Sequence, residues 1–142
     1  MSSSIRFFNE SSLDLPMNKD SAAALLLKVM RSLGKPGVKI NIIAKSDEEL
    51  REMKKKYFDI DLYTDVITFT IEDEPVLEGE IYCSPERIIK NAGRFSESPS
   101  REFARVLIHG AAHLCGYRDY SEEERREMRQ LEDEFLTQFY DN

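Results

Sequence analysis

His109-Gly110-Ala111-Ala112-His113-Leu114-Cys115-Gly116-Tyr117-Arg118-Asp119 is the stretch from which the rest of this chain can be read. Its two histidines are the only two among 142 residues, and they stand four apart. On a helix, residues i and i+4 share one face at about 5–6 Å between Cβ atoms, so two imidazoles at this spacing can hold one ion. Phe103, Val106, Leu107, Ala111 and Leu114 recur around them at helical spacing, which predicts a central helix carrying the pair. Gly116 is where that helix can stop, because glycine accepts the left-handed turn that ends helices. A chain turning there can bring Asp119 back as a third ligand. Two imidazoles and one carboxylate suit a zinc-like ion and leave a fourth position open, the makeup of a catalytic site rather than a structural one. The expected ligands are therefore His109, His113 and Asp119. The expected cofactor is one divalent ion, with zinc favoured and manganese, iron or nickel also compatible with the harder carboxylate.

Working outward, Ser98-Pro99 supplies an N-cap and first-turn proline for the histidine helix, and Ser84-Pro85 opens another helix that ends near Phe95. Ser121 to Glu124 has capping-box spacing and starts a last amphipathic helix running to about Phe139. Upstream, helices are expected over Ser21 to Leu33 and Ser46 to about Tyr57. Strands are expected at Ile5 to Phe8, Val38 to Ile42 (half-buried, from its alternation), Val66 to Thr70 and Gly79 to Cys83. The order β-α-β-α-β-β-α-α-α reads as an α+β fold in a single domain over residues 1–142. A small, mostly four-stranded sheet would pack with about five helices, the metal site lying at the end of the central one.

Composition narrows the function classes. Hydrophobic residues make up 41% and charged residues 33%, and no apolar run approaches the roughly 18 residues of a membrane span. The N-terminus lacks a basic region followed by an apolar stretch, so the expectation is a cytoplasmic protein with no membrane partner. Cys83 and Cys115 are too few for a disulfide framework. Cys115 lies two residues past His113, off the ligand face, and reads as core packing. A net charge of −7 argues against indiscriminate nucleic-acid binding, which depends on many lysines and arginines, but leaves room for a local basic groove. Lys54-Lys55-Lys56 reads as a solvated face. Arg101 and Arg105 share the histidine stripe, either along a substrate path or paired with Glu102 and other acidic neighbours.

The central motif is similar to the zinc-protease pattern H-E-x-x-H-x-x-G-x-x-H, with two changes. Gly110 stands where those proteases carry their general-base glutamate, and Asp119 where they carry a third histidine. A carboxylate can replace a histidine on zinc, but the lost glutamate removes the group that takes the proton from water.

A wider likeness covers nearly the whole chain. The H-G-x-x-H-L-x-G-Y core, preceded by Tyr63-Thr64-Asp65-Val66-Ile67-Thr68-Phe69 and by Gly79-Glu80-Ile81, resembles the YbeY family of bacterial metal-dependent endoribonucleases. The resemblance implies one bound zinc-like ion and cleavage of single-stranded RNA. It further implies maturation of ribosomal RNA, notably at the 3′ end of the 16S RNA of the small subunit, and ribosome quality control in the cytoplasm. The expected partners are ribosomal RNA and the small ribosomal subunit, with no DNA. The family's third ligand is usually a histidine, and its position here is Asp119. The family also tends to carry an arginine after the aromatic that closes the first short helix, where this chain has Phe58 after Tyr57.

Asp65 and Arg105 are the candidate catalytic residues, Arg105 as a substitute for that arginine. Glu80 is a further carboxylate candidate. Attack on phosphorus by water and attack by the RNA's own 2′-hydroxyl both stay open. Two other readings are a metzincin-like metalloprotease and a non-catalytic ribosome-associated factor with a structural ion.

Overall fold

A computed structural model describes residues 3–142. Four strands form one sheet in the order β1-β2-β4-β3, with β1 at Ser4–Asn9, β2 at Val38–Ala44, β3 at Val66–Glu72 and β4 at Leu77–Cys83. β1 and β2 run parallel, as do β2 and β4, while β3 returns antiparallel to β4 and forms an edge. The helices are α1 (Lys19–Ser32), α2 (Asp47–Phe58), α3 (Pro85–Arg94), α4 (Pro99–Leu114) and α5 (Glu122–Phe135). The element order is the expected one. α1 begins two residues before the expected Ser21 because the Asn18 side chain takes the N–H groups of Asp20 and Ser21 and caps it there. The last helix does not stay α-helical to Phe139; from Leu136 to Tyr140 the turns widen to π.

Alternation along β2 turns Val38, Ile40, Ile42 and Ala44 to one buried face. Ile43 is buried on the opposite face, so the strand is covered on both sides at its end rather than half-exposed throughout. α4 is the central helix and packs against α1, α3, α5 and the β3–β4 hairpin. From Glu102 to Leu114 every residue is buried except Arg105, His109 and His113, the i, i+4 stripe. The helix lies close on the sheet because two positions lack side chains. A Cβ on Gly110 would meet Ile81 at 3.2 Å, and one on Gly79 would meet Leu114 at 2.7 Å.

The loop between α2 and β3 is tied down by charge. The buried Asp47 carboxylate, in the first turn of α2, accepts from Arg87 Nη2 at 2.6 Å and Nε at 3.2 Å, and from the Ser84 hydroxyl at 3.3 Å. The Tyr63 ring sits between the guanidinium groups of Arg51 and Arg87, 4.8 and 4.5 Å from its centroid, and its hydroxyl donates to Glu48. Arg51 also holds Asp61 at 2.7 Å. This clamp fixes the segment that delivers Asp65 to the start of β3. Removing one partner of a buried ion pair costs about 3–5 kcal/mol, and the partly exposed guanidinium lowers that here. Asp47→Ala is expected to destabilise the protein by about 2–3 kcal/mol in urea unfolding, with the Asp47→Asn variant losing less.

Candidate metal centre

The stripe on α4 places the two imidazoles with Nε2 atoms 3.0 Å apart. The helix then ends at Cys115. Gly116 takes φ +94°, and the N–H groups of Gly116 and Tyr117 return to the carbonyls of His113 and Ala112 at 3.0 Å each. That turn brings Asp119 back over the helix end. The following segment is pinned by the α5 capping box, where Glu124 accepts from the N–H groups of Tyr120 and Ser121 and pairs with Arg118 at 3.0 Å. Asp119 Oδ2 thereby lies 3.3 Å from His109 Nε2 and 3.4 Å from His113 Nε2.

The donor set fits a metal ion. His113 Nδ1 donates to the Tyr117 carbonyl at 2.9 Å, and His109 Nδ1 donates to the Glu132 carboxylate at 2.7 Å. With hydrogen on each Nδ1, both Nε2 atoms present bare lone pairs to one another and to a carboxylate oxygen. Three such donors at 3.0–3.4 Å need a shared cation among them, a proton on one Nε2 or a metal ion in its place. Their triangle also matches zinc, since bonds of about 2.0–2.1 Å in a tetrahedron separate the ligands by about 3.3 Å. His113, His109 and Asp119 all retain access to solvent.

Behind His109 stands a group the sequence reading passed over. Glu132 on α5 is buried, orients the imidazole through Nδ1, and accepts from Arg105 Nη1 at 3.1 Å. A carboxylate on the outer nitrogen of a ligating histidine fixes its tautomer and raises its basicity. Burial alone pushes the His109 imidazolium down, but the Glu132 hydrogen bond and charge, with Asp119 and Asp65, outweigh it and hold the pKa above its ordinary value. A signal for Glu132 was present: it lies on the inner face of α5 between Met128 and Phe135, both buried, where a carboxylate needs a partner.

Arg105 is held by Glu132, by Asp133 at 2.9 Å and by Glu102 at 3.9 Å. Its position is that of a counter-charge to Glu132. Arg101 is turned away to Asp141 and Glu97, at 3.0 and 3.1 Å. Asp65 faces His109 from the start of β3, and burial raises its carboxyl above the usual range against the opposing pull of His109 and Asn91. Glu80 is on the other face: Gly79, Ile81 and Cys83 of β4 are buried on the α4 side, while Glu80 points oppositely, on the side of Tyr82 and away from the histidines. Cys115 packs partly buried against the core, as expected. Gly110 is pressed on Ile81 and Thr68 and supplies no general base where zinc proteases carry theirs.

The centre opens on a cleft of about 660 Å³ whose floor is the edge strand β3 and whose walls include Lys54, Phe58, Tyr117 and Tyr120. Lys54, read from sequence as part of a solvated run, thus stands at the mouth of the site.

The family model described as "Endoribonuclease YbeY" matches residues 7–140. The chain belongs to the YbeY endoribonuclease family. Relatives carrying that name include one from Christiangramia forsetii, 36% identical over 96% of this chain and 94% of its own. Another, from Chlorobium phaeovibrioides, is 36% identical over 93% and 88%. The solution structure of TM1509 from Thermotoga maritima superposes with a TM-score of 0.64 at 28% identity, covering 98% of this chain and 93% of that one. Membership in the YbeY family makes this an RNA-hydrolysing fold rather than a protease, in agreement with the glycine at position 110. No helix among the described residues is long and apolar enough to cross a membrane.

Proposed function

We propose that this chain is a metal-dependent endoribonuclease acting on single-stranded RNA, with His109, His113 and Asp119 holding one zinc ion. The observation that carries the reading is the convergence of three lone-pair donors whose imidazoles are both fixed through Nδ1. The chemistry such an ion supplies is Lewis acidity toward water and toward a phosphoryl oxygen. The chain's own groups do the rest. Glu132 and the Tyr117 carbonyl keep the imidazoles in one tautomer and orientation. Arg105 balances the charge of Glu132 from behind. Asp65, on the wall shared with His109, is the carboxyl placed to hold or hand on a proton. The family likeness extends the proposed substrate to ribosomal RNA at the 3′ end of the small-subunit RNA, with the cytoplasm as the place of action.

The test is cleavage of an end-labelled single-stranded RNA matching that 3′ end, by zinc-loaded protein with and without chelator. Cleavage that chelator stops and added zinc restores is the expected result. Intact RNA in the presence of protein shown to hold zinc overturns the reading. Fragments with 3′-hydroxyl ends assign the attack to water, and 2′,3′-cyclic phosphates assign it to the RNA's own 2′-hydroxyl.

A further inference from the structure

Two exposed aromatic rings, each paired with a cation, line the cleft at the metal centre. Phe58 closes α2, 44% exposed, with the Lys54 ammonium 5.0 Å from its centroid. Tyr120, in the turn between α4 and α5, is 75% exposed, with the Arg118 guanidinium 5.3 Å from its ring. Both rings and both cations line the same cleft as His109, His113 and Asp119. Neither aromatic is loosely hung. Phe58 stacks on Phe69 of β3 at 6.0 Å and 20° between planes, and Asp59 in the left-handed region ends the helix just after it. The Tyr120 backbone is bonded on both sides, its N–H to Glu124 and its carbonyl to Arg125.

Large aromatics left in water beside lysine and arginine, in a chain of net charge −7, call for a partner that is both planar and anionic. Single-stranded nucleic acid meets both needs: a base offers a flat face to any aromatic, and its phosphate takes the cation beside it. A duplex cannot, because its bases are already stacked and their faces hidden. The Lys54 and Arg118 side chains are long enough to exchange a ring face, or for Arg118 the Glu124 carboxylate, for a phosphate.

We infer that Phe58 and Tyr120 are base-stacking platforms that grip the unpaired nucleotides on either side of the scissile phosphate, with Lys54 and Arg118 on the flanking phosphates. This rests on the endoribonuclease reading and adds to it how the strand is held. It also gives Phe58 a positive role where the family tends to carry arginine: a flat apolar face rather than a charge. The platforms position substrate, so their loss raises KM and leaves kcat near its original value.

The chain has no tryptophan, which makes Phe58→Trp a sole fluorescent reporter. It is titrated with a nuclease-resistant single strand, a 2′-O-methyl phosphorothioate oligonucleotide, while anisotropy of a labelled copy reports binding independently. Quenching of the tryptophan is expected, and the same strand with abasic nucleotides at the centre should bind more weakly and, when bound, leave the emission unquenched. Phe58→Ala and Tyr120→Ala should each weaken binding about 5- to 100-fold, with Phe58→Tyr near wild type. Tyr120 is so exposed that its alanine variant keeps the fold. Binding without quenching, or full affinity in both alanine variants, overturns the platforms while leaving the nuclease reading intact. Tryptophan emission that ignores RNA but shifts with protein concentration would instead make this face a contact between copies of the chain and overturn the proposal. A wild type that neither binds nor cuts single-stranded RNA overturns the endoribonuclease reading itself.

Discussion

His113→Ala protein is expected to fold, to lose its zinc and to cut RNA no faster than background. The fold should survive because His113 is partly solvent-exposed at the last turn of α4, above a core formed by Leu107, Ala111 and Leu114 that the substitution does not touch. The activity should not survive. A metal acting as Lewis acid contributes several kcal/mol to the transition state, and each 1.36 kcal/mol is tenfold, so the loss is about a thousandfold or more. Two measurements separate this from unfolding: the circular dichroism spectrum and urea midpoint of the metal-free proteins should coincide, while zinc bound after dialysis falls from about one per chain to a trace. An unfolded variant would mean that the ion is a structural staple. A folded variant that still cuts in a chelator-sensitive manner would place the catalytic ion elsewhere.

The sequence displayed most of this site because most of it is local. His109, His113, Gly116 and Asp119 fall within eleven residues, and helix periodicity plus one glycine turn are enough to bring them together. The element order was legible for the same reason: proline-and-serine helix starts and capping boxes are short-range signals. What distance along the chain hid was the support. Glu132 is 23 residues from His109 and sits in a helix so rich in acids that one buried carboxylate does not stand out. Arg105 shares the ligand stripe, and only the docking of α5 reveals that its charge is spent on Glu132 and Asp133. Glu80 stayed open between the site and an exposed strand face because the period of a strand gives two faces without saying which one the helix covers. Lys54 and Phe58 come to the cleft through the packing of α2 on β3, where Phe58 stacks on Phe69, a tertiary contact that local pattern cannot set.

Glu132 is where that hidden support can be measured. Its carboxylate bridges an imidazole N–H and a guanidinium while cut off from water, so each substitution should fail in a distinguishable way. Glu132→Gln keeps the volume and a carbonyl oxygen for His109 Nδ1 but loses the charge. The imidazole stays in place with lower basicity, and zinc affinity should fall about 10-fold. Glu132→Ala loses orientation as well and leaves Arg105 with only Asp133 and the more distant Glu102. Affinity should then fall about 100-fold, with about 3 kcal/mol of stability lost because a buried ion is left short of its partner. Arg105→Met tests the other end of the bridge: it should cost stability while disturbing zinc affinity less than Glu132→Ala, since His109 keeps its hydrogen bond. Competition with a fluorescent chelator gives the affinities, and urea unfolding of the metal-free proteins gives the stabilities. If Glu132→Ala bound zinc as tightly as wild type, the carboxylate would be serving only the packing of α5 on α4. A graded loss from Gln to Ala instead means that this buried charge, contributed by the last helix, sets how tightly the proposed ion is bound by the helix and turn before it.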